Sequence, residues 1–255
     1  MRVSLFATCL ADQLFPQVAV ATVKLLRHLG AEVAFPEGQT CCGQPAYNAG
    51  YHREARAVAR HHIGVFGGAD YVVLPSGSFG AMLGHYPDLF SEDGPAYAAA
   101  RGLAERTFEL TTFITEVLGQ EDIGADLSGT RVTYHDSCHA MRFMGVREAP
   151  RRLLKAAGAE LVEAEGSDVC CGFGGLFSVK MPEISAAMAR AKLPGIHATG
   201  AAVLTSTDGG CLMQLSGTLR REGSSRGESD EAAGLEGSHI AELLWRGVER
   251  ARAAA

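Results

Sequence analysis

The seven cysteines of this chain fall into one repeated pattern. Cys170-Cys171-Gly172 restates Cys41-Cys42-Gly43, and a lone cysteine precedes each pair, Cys138 before the second and Cys9 before the first, with 31 residues between in both cases. The second unit adds Cys211; the first has Phe79 where the flanking sequence would place that thiol. Thiolate sulfur is the usual ligand of iron–sulfur clusters, and four thiolates normally hold one four-iron cluster. Cys138, Cys170, Cys171 and Cys211 make up that number from three separate loops, so a folded scaffold is needed to bring them together. Cys9, Cys41 and Cys42 form an incomplete, three-thiol set. Successive side chains diverge in extended backbone, so both members of a pair reach one site only from a tight turn, which Gly43 and Gly172 permit. Gly172, Gly174 and Gly175 would let backbone N–H groups approach cluster sulfurs. Two other readings use the same residues. Four thiolates also suit zinc, and free cysteine packs well as a small hydrophobe. A thiol–disulfide role lacks a complete Cys-x-x-Cys, and an odd number of thiols cannot pair completely.

His135 and His139 flank Cys138 and could ligate metal, hydrogen-bond a cluster sulfide or cap a helix; capping or outer support is the favoured reading. Asp208 reads as a cap for the helix after it, with oxygen ligation as the alternative. Ser76 and Ser78 read as turn residues. His61 and His62 lie on a helix expected to face solvent. Gly172-Phe173-Gly174-Gly175 lacks the Lys-Ser/Thr of a phosphate loop.

The elements that must position these residues also repeat, about 129 residues apart. Strands are expected at 2–7, 31–35 and 71–74, with helices at 18–29 and 53–66; strands return at 131–134, 159–163 and 201–204, with helices at 150–157 and 184–192. Each set describes a small parallel sheet flanked by helices, and ligands of such sheets collect beyond the carboxyl ends of the strands. The fold class is α/β with two pseudo-repeated lobes: residues 1–118, a linker at 119–129, then 130–220. A helix over 98–118 ends the first lobe. Residues 221–238 are polar and read as a loop, and 239–255 as a C-terminal helix packing back on the core with the only tryptophan, Trp245.

A formal charge of −6 argues against a general nucleic-acid role. No apolar run approaches a membrane span, and the N-terminus enters a strand with no secretory signal pattern. The expected location is the cytoplasm, where clustered thiols more often mean metal or redox chemistry than disulfides.

The doubled arrangement of lone Cys, 31 residues, Cys-Cys-Gly and a later cysteine resembles the CCG cysteine-rich domain family, over roughly residues 2–218. His135-Asp136-Ser137-Cys138-His139 and Cys211-Leu212-Met213 are similar to it as well. Such domains occur in the cysteine-rich subunit of heterodisulfide reductase, the glycolate oxidase iron–sulfur subunit and the iron–sulfur subunit of the lactate-utilisation complex; the short two-domain form is nearest to the last. The family's full motif closes with Cys-x-x-Cys, where this chain has Asp208-Gly209-Gly210-Cys211 and Ser76-Gly77-Ser78-Phe79. The resemblance implies a 4Fe–4S cluster in the second lobe and electron transfer in oxidation of L-lactate or a similar 2-hydroxy acid such as glycolate. It implies partner subunits, among them a ferredoxin-like iron–sulfur protein. A zinc or scaffold protein without redox turnover is the alternative, and a heterodisulfide-reductase-like thiol/disulfide subunit the second.

Overall fold

A computed structural model of the chain describes residues 1–91, 94–225 and 235–254. β1 (Arg2–Leu5) runs into α1 (Cys9–Leu14) and α2 (Pro16–His28). β2 (Glu32–Ala34) is followed by the first cysteine pair, α3 (Gln44–Asn48) and α4 (His52–Val65). β3 (Tyr71–Leu74) leads to α5 (Gly77–Gly84) and α6 (Pro95–Glu105), and β4 (Thr107–Glu109) to α7 (Leu110–Thr112), which widens into a π-turn over Phe113–Val117. The order returns with β5 (Arg131–Tyr134), α8 (Cys138–Met144), α9 (Glu148–Ala156) and β6 (Glu160–Leu161). After the second cysteine pair come α10 (Leu176–Lys180), α11 (Pro182–Ala198), β7 (Val203–Ser206), α12 (Gly209–Ser225), β8 (Glu236–His239) and α13 (Ile240–Ala254). The sheets are wholly parallel and ordered alike, β2-β1-β3-β4 and β6-β5-β7-β8. This is the α/β pair of pseudo-repeated lobes expected from the sequence.

Local pattern explains most of the elements. On α2, Val18, Ala21, Thr22, Leu25 and Leu26 are buried, one stripe of a 3.6-residue period. Pro16 opens the helix with its φ already set, and Gly30 beyond its end takes a left-handed φ of 85°. Val3, Leu25 and Val73 of the first lobe share a core with Val132, Leu153 and Val203 of the second and with Ile240 and Leu244 of α13. The lobes also meet where α5 crosses α8: a Cβ on Gly77 would lie 2.2 Å from Ala140 Cβ, so only glycine allows this approach. Helix α13 does pack back, but across the lobes, against α2. Trp245 lies there between Lys24 and Arg252, whose charged groups are 5.3 and 5.2 Å from the indole.

Three expected elements need correction. The helix over 98–118 is interrupted by β4, a three-residue strand paired with β3, and the long-range ladder overrides a helical local pattern. The loop at 221–238 falls partly on α12, partly outside the described residues and partly on β8, which pairs with β7 although Glu236-Gly237-Ser238-His239 contains no β-former. The helix expected over 184–192 runs on through Pro194 to Ala198.

Strand β4 delivers Glu109, a wholly buried carboxylate. Its Oε2 accepts from the N–H groups of Thr111 and Thr112 at 2.8 and 3.3 Å, while Oε1 has no partner. Burial without a cation pushes this carboxyl up to about 7. An unfolded glutamate titrates near 4.3, so between those values the folded chain holds a proton that the unfolded chain has lost. Glu109 therefore contributes stability below about pH 4 that is lost as pH rises through about 7, a difference of roughly 3 kcal/mol. Urea unfolding at pH 5 and pH 8 should show this loss in the wild type and not in Glu109→Gln. An equal pH response in both proteins would refute it.

Candidate metal centre

Each lobe places its thiols in the same way. Cys9 and Cys138 are the first residues of α1 and α8, directly after the first strand of each sheet. The pairs Cys41-Cys42 and Cys170-Cys171 sit in tight turns closed by Gly43 and Gly172, both at φ 85°. At Gly172 a Cβ would also lie 2.6 Å from Ser185 O, so glycine is required twice over. Cys211 is the third residue of α12, and Phe79 the third residue of α5. The ends of β3 and β7 are thus equivalent, and Phe79 does occupy the place of Cys211.

The four second-lobe thiols form one connected group. Cys170 is hydrogen-bonded with Cys138 and Cys171, which pulls its pKa far down, while Cys138 and Cys171 are pushed up as donors to it. Cys171 reaches on to Cys211, whose thiol is lowered to about 7, chiefly by Cys171 and against the effect of burial. The backbone N–H of Gly172 points at Cys170 Sγ, 3.4 Å away. In the first lobe Cys41 plays the part of Cys170: contacts with Cys42 and Cys9 lower it, and both of those thiols are raised. In each lobe the first cysteine of the pair is the sulfur that ionises first. Thr8, just before Cys9, holds a strained φ of 59°, the only positive value outside glycine among the described residues, and its hydroxyl accepts from Ala11 N.

The two thiol sets do not occupy separate sites. All seven cysteines line one cavity of about 340 Å³ between the lobes, with Phe79, Phe173, Phe177, Ser137, His139 and Asp208 completing its wall. The sequence predicted convergence within each lobe but carried no sign that the two carboxyl edges face each other.

Several neighbours behave differently from their expected roles. The Asp208 carboxylate reaches into the other lobe, accepting from Ser78 N at 2.8 Å and Ser78 Oγ at 3.3 Å, as well as from Ser137 Oγ at 3.1 Å. It caps the first turn of α5, so a cap was the right role and the helix the wrong one. Ser76 caps the same helix through Phe79 N. His62 is not solvated as expected but fully buried, on the inward stripe of α4 with Ala55 and Ala59, and that i, i+4, i+7 spacing was the overlooked signal. Tyr86 Oη donates to Cys42 O at 2.9 Å, so His62 Nδ1 donates to Tyr86 and Nε2 accepts from Thr40 N, a chain that fixes the first cysteine turn. Burial lowers the His62 pKa to about 4, which keeps this tautomer neutral. In the second lobe the Lys192 ammonium does the equivalent work, donating to the carbonyls of Gly166, Ser167 and Val169. His61 is exposed, as expected.

His139 stands with Nδ1 3.6 Å from Cys138 Sγ and stacks on Phe143. His135 is buried, with Nδ1 3.0 Å from Ser167 O. One of its ring nitrogens, Cys171 Sγ and Cys211 Sγ lie within 4.8 Å of one another, and Nε2 is the nitrogen that the Ser167 bond leaves available. Gly172, Gly174 and Gly175 line the cavity. Four thiols and an imidazole nitrogen without a partner suit a thiophilic metal or an iron–sulfur cluster.

The CCG cysteine-rich domain is matched twice in this chain, over residues 3–84 and 132–216. The chain belongs to the CCG cysteine-rich family. Curated relatives named Lactate utilization protein A match nearly its whole length. That of Geobacillus sp. (strain WCH70) is 50% identical over 245 residues, covering 96% of this chain and 99% of the relative. Those of Shouchella clausii (strain KSM-K16) and Bacillus subtilis (strain 168) are 48% and 47% identical, again over 96% of this chain and 98% and 99% of theirs. Among the described residues no helix is long and apolar enough to cross a membrane.

Proposed function

We propose that this CCG protein is an electron-transfer member of a lactate-utilisation system, with an iron–sulfur centre, of the 4Fe–4S type, held by Cys138, Cys170, Cys171 and Cys211. The observation that carries the reading is the convergence of all seven thiols on one cavity in a chain whose curated relatives are named for lactate utilisation. When bound, such a centre supplies one-electron redox chemistry. The protein's own residues prepare the place. Cys170 is ionised in advance by its thiol neighbours, and Lys192 holds the preceding carbonyls so that the turn cannot open. Phe173 lies against Gly210 and, with Phe79, gives the cavity an apolar wall, while Cys138 and Cys170 stay partly exposed. Cys9, Cys41 and Cys42 offer a labile or partner-completed site.

The electrons would come from oxidation of L-lactate, or a similar 2-hydroxy acid such as glycolate, to the 2-oxo acid. A ferredoxin-like iron–sulfur subunit is the expected partner and the cytoplasm the expected compartment. Anaerobic purification followed by iron, labile sulfide and zinc analysis tests the centre. Iron and sulfide in comparable amounts are expected; stoichiometric zinc without sulfide would replace this reading by that of a non-redox metal protein.

A further inference from the structure

We propose that His135 is a nitrogen ligand of the second-lobe centre, its Nε2 taking a coordination position beside Cys171 and Cys211. The proposal rests on the metal reading above and adds a fifth donor, of a different kind, to the four thiols.

The imidazole is fixed from both sides. The backbone of His135 donates to Thr205 O at 2.8 Å, and its carbonyl accepts from Ser206 Oγ at 2.9 Å. In the ring, Nδ1 faces the Ser167 carbonyl at 3.0 Å. A carbonyl only accepts, so Nδ1 carries the proton and Nε2 presents a lone pair, the tautomer that a backbone carbonyl typically imposes on a metal-bound histidine. That nitrogen is buried and, among the described residues, meets no oxygen or nitrogen donor, only the cysteine sulfurs beside it. A thiol is only a weak donor, so a metal atom would satisfy this nitrogen better than its present neighbours. A His135 ring nitrogen, Cys171 Sγ and Cys211 Sγ lie within 4.8 Å of one another, and with Nδ1 held by Ser167 O the nitrogen left to bind is Nε2. Metal–sulfur and metal–nitrogen bonds of about 2.3 and 2.0 Å span nearly that distance.

The internal repeat supplies an independent argument. The residue after β1 is Phe6 and the residue after β5 is His135; their N–H groups make matching bonds, to Val73 O and Thr205 O. Phe79 occupies the place of Cys211. The neighbouring pair His135 and Cys211 of the second lobe therefore corresponds to Phe6 and Phe79 in the first, whose rings meet edge to face at 5.9 Å. Both coordinating positions are aromatic in one lobe and both carry donors in the other, as expected of two residues that share one atom.

The test is pulsed EPR of the anaerobically reconstituted, reduced full chain carrying nitrogen-15 histidine. A directly bonded nitrogen coupling is expected in the wild type, retained in His139→Gln and absent in His135→Gln. A centre without nitrogen coupling, or one whose coupling is lost in His139→Gln and kept in His135→Gln, would overturn the proposal and leave the iron–sulfur reading standing. Cobalt(II) titration of the metal-free chain gives an answer that does not depend on cluster formation. His135→Gln should weaken cobalt binding at least about tenfold, since disturbing even an outer partner of a metal site costs that much. His135→Cys should restore binding with an added sulfur charge-transfer band. Unchanged cobalt affinity in His135→Gln would refute the ligand role, and a failed reconstitution with a positive cobalt result would fault only the cluster.

Discussion

Replacing Cys171 by Ser should remove most of the iron and visible absorbance from anaerobically reconstituted protein, while Cys42→Ser should remove much less. Cys171 stands between Cys170 and Cys211 and is within 4.8 Å of a His135 ring nitrogen, so its loss breaks the thiol group in the middle. Cys42 is equally buried, but its set ends there: the next position is Phe79, packed against Phe6. A centre on the first-lobe thiols would lack a ligand that the wall cannot supply, and an exposed iron position invites loss of metal. Because both sets line one cavity, the measurement has a clear opposite outcome. Equal losses from the two substitutions would mean that the lobes hold a shared centre, and the unequal reading would fail.

The second large effect concerns an ion pair that the sequence did not single out. Asp136, two residues before Cys138, is fully buried and grips Arg151 with both oxygens, at 2.8 and 2.7 Å. The same guanidinium holds Glu163 at 2.7 and 2.9 Å and Arg147 O at 2.7 Å, and lies 5.0 Å from the Tyr134 ring. Arg151 thus ties α9 to the strand end that carries His135 and Cys138. Such a pair contributes little net stability relative to an apolar replacement, yet removing one partner leaves an uncompensated charge. Arg151→Met should therefore destabilise the protein by about 3–5 kcal/mol, lowering Tm by about 10 °C. The double variant with Asp136→Asn should recover part of the loss. A single-variant cost below about 1 kcal/mol in urea unfolding would show that Asp136 finds another partner.

His62 and Asp208 mark how far local reading reaches. The 3.6-residue stripe on α4 contains enough to bury His62, although a histidine beside another on a charged helix reads as solvated. Asp208 was read correctly as a cap because its type and place before a helix announce one; the choice of helix depended on a residue 130 positions away.

What the sequence determined by itself was the duplication, the two thiol sets and the strands that carry them, because these follow from identity, spacing and local period. The α/β class was readable for the same reason, as β1, β3, β5 and β7 are short segments rich in Val, Leu, Thr and Tyr that form the inner strands of their sheets. Only the tertiary structure decided that β4 and β8 exist, since both are edge strands formed by pairing with β3 and β7 rather than by their own composition. It alone decided that the two carboxyl edges share one cavity, that Glu109 is buried without a cation, and that the His135 lone pair faces two sulfurs. Each of these depends on the approach of residues from different loops or lobes, set by a common core that runs through both sheets and α13. Packing over such separations leaves no periodicity in the chain from which it could be read.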